Sequence, residues 1–140
     1  PTSALDVSVQ AQILALLTDL QKRLGLAYLF ITHNIAVVDF LAHEIAVMYL
    51  GRVVERGTVD EVLRAARHPY TQALLAAVPR IDGREGERLL APGDPPSPAH
   101  PPAGCHFHPR CPRAAARCHA GYPTTSVLSE THQVRCFFPD

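Results

Sequence analysis

The chain has 140 residues and 15.3 kDa, with 13 basic residues against 13 acidic and 47% of positions apolar. That length and apolar content suit one ordinary core, and zero formal net charge excludes the broad basic field of a nonspecific nucleic-acid binder. The longest apolar runs, residues 26–31 and 45–50, have six residues each, far short of the ~20 that cross a bilayer.

The chain opens Pro1-Thr2-Ser3 without Met and shows no targeting segment, which reads as a processed or partial chain. Residues 7–24 carry Val9, Ile13, Leu16, Leu17, Leu20 and Leu24 at spacings of three and four. This is an amphipathic helix with its stripe in a core, Asp6 as N-cap and Gly25 just past its end. Residues 27–32 are continuously apolar, the pattern of a strand covered on both faces. A short helix through Ala36–Leu41 and a second apolar strand at 45–50 would complete a right-handed βαβ crossover. Gly51-Arg52 suits a type II′ hairpin turn whose second strand ends at Gly57. Thr58 then caps a helix over 59–66, with Asp60 and Glu61 at its positive end, and Pro69 starts another running to 77.

Composition then breaks. Twelve of the 13 prolines lie at or beyond Pro69, six of them between Pro92 and Pro102, and all four cysteines lie in the last 36 residues. Residues 80–104 read as an extended linker. The tail spacing is C-x5-C-x6-C-x17-C through Cys105, Cys111, Cys118 and Cys136. A 36-residue module is short enough to need a cross-link. Disulfides would require an oxidising compartment. Zinc could use four thiolates or a histidine from His106, His108, His119 and His132, but the usual C-x2–4-C pairs are missing. An iron–sulfur cluster also takes four thiolates, and Cys111-Pro112 echoes some cluster motifs. Spacing alone leaves zinc and iron–sulfur level.

Pro1-Thr2-Ser3-Ala4-Leu5-Asp6, then a helix, an apolar strand and Ile31-Thr32-His33-Asn34, resembles the ATPase subunit of ABC transporters. The resemblance makes the first stretch the end of the Walker B segment with the D-loop, and His33 the switch histidine. Residues 48–57 resemble the last hairpin of that core. His68-Pro69-Tyr70-Thr71-Gln72-Ala73-Leu74-Leu75 resembles the extension of dipeptide and oligopeptide importers, and the four-cysteine end matches the same subfamily.

The resemblance implies an α/β chain, the C-terminal part of a P-loop NTPase domain. Its divisions would be 1–57 for the ATPase core, 58–79 for the helical extension, 80–104 for the linker and 105–140 for the four-cysteine appendage. It implies His33 as catalytic residue, sensing the γ-phosphate of ATP with Mg2+, and Ser3 and Asp6 as D-loop residues acting across a head-to-tail dimer with a second ATPase subunit. Cys105, Cys111, Cys118 and Cys136 would hold a [4Fe–4S] cluster, with zinc second. Partners would be membrane permease subunits and an external peptide-binding protein, at the cytoplasmic face of a bacterial or archaeal membrane, with no nucleic acid. Nickel or another small solute is the alternative cargo. No G-x-x-x-x-G-K-[ST] loop and no Gly-Gly pair occur, and the only lysine is Lys22, so the chain alone is expected not to hydrolyse ATP. The alternative from another class is a small non-catalytic metal-binding module.

Overall fold

A computed structural model describes residues 7–78 and 93–139, and the chain divides into two compact units, Pro1–Ala42 and His43–Asp140. In the first unit, α1 spans Val7–Leu24 and ends at Gly25, whose φ of 63° supplies the left-handed residue that closes a helix. Asp6, the expected cap, lies outside the described residues. After α1, the Tyr28 hydroxyl donates to the Leu17 carbonyl at 3.2 Å and folds the following segment back along the helix. Helix α2, Ile35–Leu41, starts at Asn34, whose side-chain oxygen accepts from the amides of Ala36 and Val37.

Residues 27–32 do not form the expected strand, and the βαβ crossover is absent among the described residues. A strand exists only through its ladder, and no other described segment of this unit offers one. Leu29 and Ile31 stand 92% and 91% exposed. The α1 stripe is likewise only partly buried: Leu14 is inside, whereas Leu16 and Leu24 are exposed. With α2 as its helical neighbour, the unit has too little apolar surface to cover the stripe.

The second unit is built on an antiparallel hairpin, β1 Glu44–Tyr49 and β2 Arg52–Thr58. Tyr49 pairs with Arg52, so the two turn residues are Leu50 and Gly51, at φ 44° and 76°. Two consecutive positive φ values define a type I′ turn, one residue earlier than the expected II′ turn, and its strand-matching twist outweighs the cost of placing Leu50 there. The register slips between Val47 and Met48, leaving Val54 as an extra residue on β2. That bulge breaks the in–out alternation, so the adjacent side chains of Val54 and Glu55 are both buried.

Thr58 caps α3, Val59–Arg64, in a reciprocal capping box with Glu61. Helix α4, Pro69–Ala76, begins with Pro69, and the His68 ring accepts the Tyr70 amide. The helices stop two and one residues short of the expected ends. The tail adds a 3₁₀ turn at His108–Arg110, α5 at Ala116–Ala120, and strands β3 Ser126–Val127 and β4 Gln133–Val134. Strand β4 pairs with β2, giving one antiparallel sheet in the order β1-β2-β4-β3. The core joins hairpin and tail: Val47, Tyr49, Val54 and Val62 pack with Phe107, and Cys105, Cys111 and Tyr70 border them. Residues 79–92 of the expected linker lie outside the described residues; 93–104 contain no helix or strand.

Candidate functional site

The four cysteines are free thiols converging on one region of the second unit. The Cys105 amide donates to the Cys118 carbonyl at 2.8 Å. Gly104, at φ 70°, makes that approach possible, since a Cβ there would strike the carbonyls of Cys118 and His119. Between the first two cysteines, Phe107 drives into the core and meets Tyr49, Tyr70 and His68 with ring centroids 5.3, 5.5 and 5.9 Å away. Cys136 arrives from the other direction, two residues beyond β4.

Burial pushes the thiol pKa of Cys105, Cys111 and Cys136 upward. Proximity adds to this: Cys105 feels Cys118 and Cys111, Cys111 feels Cys118, and Cys136 feels Cys111 and Cys105. Opposing it, a backbone amide two residues on bonds each of these sulfurs, that of Phe107 for Cys105, Arg113 for Cys111 and Phe138 for Cys136. Amide dipoles aimed at sulfur favour thiolate over thiol. Burial remains the largest cause, so all three groups are held more firmly as thiols than a free cysteine is.

Zn–S bonds of 2.3 Å on a tetrahedron bring neighbouring sulfurs within about 3.8 Å of one another. Among the described residues, no three His, Cys, Asp or Glu side chains are grouped closely enough to hold a metal ion. This supports neither the [4Fe–4S] cluster nor zinc as second choice, and it leaves the self-standing metal-binding module without support. The histidines do not converge on the sulfurs as a set. His106 stacks edge-on against Tyr122, His108 lies beside His119, and His132 turns away to a carboxylate.

That carboxylate, Glu55, was not singled out from the sequence. It is 1% exposed and accepts three hydrogen bonds: from the Arg67 amide at 2.7 Å, the His68 amide at 3.0 Å and His132 Nε2 at 2.8 Å. Beside it Glu61 accepts from the hydroxyls of Ser129 and Thr131 in addition to its capping bonds. Its pKa is lowered to about 2, chiefly by Ser129 and then by the Thr58 amide. Gly57 lies under Glu61 and His132, since a Cβ there would come within 3.0 Å of the first and 3.2 Å of the second. In Arg52-Val53-Val54-Glu55-Arg56, Glu55 stands beside another charged residue, and nothing local marks it as buried.

His33 lies in the first unit, exposed, immediately before the cap of α2. Ser3 and Asp6 lie outside the described residues. No described helix is long and apolar enough to cross a membrane.

A bulged hairpin, two short helices and a docked four-cysteine tail sharing one core define the class of this unit, an α/β region with a single antiparallel sheet. Residues 54–118 match the family described as the oligopeptide/dipeptide transporter, C-terminal region. The chain is 46% identical over 141 residues to the dipeptide transport ATP-binding protein DppF of Haemophilus influenzae, covering 100% of this chain and 43% of that protein. It is 55% identical over 120 residues to Escherichia coli DppF, covering 84% and 36%. The di/tripeptide transport ATP-binding protein DppF of Pseudomonas aeruginosa is 48% identical over 137 residues, covering 97% and 42%. The chain thus spans about two-fifths of the length of these relatives.

Proposed function

We propose that the chain serves as the C-terminal portion of the ATP-binding subunit of a peptide-importing ABC transporter. The observation that carries this reading is the transporter C-terminal region at 54–118, set within relatives that are named as dipeptide transport ATP-binding proteins and align along the whole chain. Two such subunits would close head to tail on ATP and Mg2+, and hydrolysis would reset them, driving peptide uptake through permease subunits on the inner face of a bacterial membrane. An external binding protein would select the cargo.

In that setting His33 would meet the γ-phosphate, where an imidazole N–H stabilises developing charge. Its exposure before a capped helix leaves the ring available. Ser3 and Asp6 would reach across the dimer as D-loop residues. The phosphate-cradling loop is not within these 140 residues. In the full-length transporter, His33→Ala should strongly reduce ATP hydrolysis with the fold intact; unchanged turnover would refute the assignment.

Cys105, Cys111, Cys118 and Cys136 would hold a [4Fe–4S] cluster, supported by their convergence and by the amides directed at three of the sulfurs. When bound, such a cluster supplies a covalent cross-link and a one-electron redox centre. Anaerobic purification followed by iron and acid-labile sulfide analysis tests this. Zinc alone, or four free thiols, would overturn it.

A further inference from the structure

The four cysteines are not placed by the same means. Cys105, Cys111 and Cys118 belong to one knot, closed by the Cys105–Cys118 backbone bond and anchored through Phe107 in the core. Cys136 has no share in that bond. It follows β4, which is held along one strip of β2 and α3. Gln133 and Val134 pair with Arg56 and Glu55, and the Arg135 amide donates to the Val54 carbonyl at 2.8 Å. Just before β4, His132 donates to Glu55, while Ser129 and Thr131 donate to Glu61.

We propose that Glu55 is a positioning residue for Cys136: gripping His132, it fixes β4 on the hairpin and so sets the place and the protection of the thiol two residues beyond that strand. The bulge at Val54 is what turns the carboxylate inward. Its other two bonds, from the amides at 67 and 68, fix it to the start of α4, so it is held independently of the tail. A carboxylate that has lost one donor while buried is left undersatisfied, which is why a short two-residue ladder is held firmly here. Gly57 completes the device by admitting the His132 ring and the Glu61 side chain at close range.

This inference goes beyond the cluster reading above, and its test does not require iron. The full-length protein is reduced, freed of metal with a chelator and treated with iodoacetamide, and the rate at each cysteine is followed by mass spectrometry. In His132→Ala, Cys136 should react roughly tenfold faster or more, because one buried hydrogen bond no longer restrains β4. Cys105 and Cys118 should keep their rates. His132→Gln retains an amide donor for Glu55 and should restore protection of Cys136. An unchanged Cys136 rate in His132→Ala overturns the proposal, as does a uniform rise at all four thiols, which would mark general loosening. Glu55→Gln offers the same readout from the hairpin side; should it fail to fold, the His132 pair decides alone. Metal analysis of the untreated protein separately reports on the cluster, so the two readings fail independently.

Discussion

Phe107 offers the sharpest test of whether the tail and the hairpin are one structure. Its side chain is 1% exposed and packs among Val47, Tyr49, Val54 and Val62, all of them on β1, β2 or α3. Phe107→Ala removes the ring and leaves a cavity that the surrounding strands cannot close, at a cost of about 3–5 kcal/mol. The edge contacts with Tyr49 and Tyr70 are lost as well, which places the effect toward the upper end. A loss of about 4 kcal/mol corresponds to an acceleration on the order of 10³ for amides that exchange through opening of the whole unit. Hydrogen exchange in the full-length protein should show this at Cys105 and Arg135 in the tail, and equally at the amides of the β1–β2 ladder. Phe107→Leu, which refills much of the volume, should lose far less. If Phe107→Ala accelerated only the tail and left the hairpin protected, the tail would be a separate module and the shared core would be refuted.

Three further outcomes follow from the same unit. Burial, and next the nearby Arg113, hold the His68 pKa down to about 4, so its folded state resists a proton that the unfolded chain accepts near 6.5. Stability should therefore be complete above about 6.5 and fall as pH drops toward about 4; urea titrations across that range should show the slope, and His68→Asn, which retains a capping acceptor, should flatten it. Glu61, lowered to about 2, gives the usual carboxylate direction: its contribution is present above about 4.5 and is lost as pH falls through about 2, and Glu61→Gln should remove that acid-range term while exposing Ser129 and Thr131 to faster exchange nearby. Gly104→Ala requires an unfavourable positive φ and a collision with two carbonyls, so it should lower stability by about 2 kcal/mol or more and loosen Cys105 from Cys118; near-normal urea midpoints would contradict the close approach.

The elements that were legible in the sequence are those fixed by local chemistry. The spacing of α1, the capping of α3 by Thr58 and the start of α4 at Pro69 each depend on a few neighbouring residues, and each forms where expected. What the sequence concealed depends on partners distant along the chain. Residues 27–32 have the composition of a buried strand, but composition does not provide a ladder, so Leu29 and Ile31 remain exposed. The turn was displaced by one residue because Gly51 serves either position of a two-residue loop, and the pairing of Tyr49 with Arg52 selects the second. Of the candidate site, the four cysteines were visible, and the backbone bond tying Cys105 to Cys118 is the structure's addition. Glu55 and His132 were not visible as a pair, being 77 residues apart; only the bulge and the strand β4 bring them together.

The size of the tail explains why it is attached in this way. Some 36 residues cannot bury enough apolar surface to fold alone, and here the tail contributes mainly Phe107, Cys118 and Val134 to the buried set. It gains a core by inserting Phe107 into that of the hairpin and a sheet by adding β4 to β2. Both attachments land on β2, at or beside the bulge, the same strand that leads into α3 and, through Glu55, grips the start of α4. A displacement of β2 is therefore transmitted to Cys136 through β4 and to α4 through the amides at 67 and 68. The cysteine tail and the helical extension are thus tied to one strand, so a shift of this hairpin reaches both.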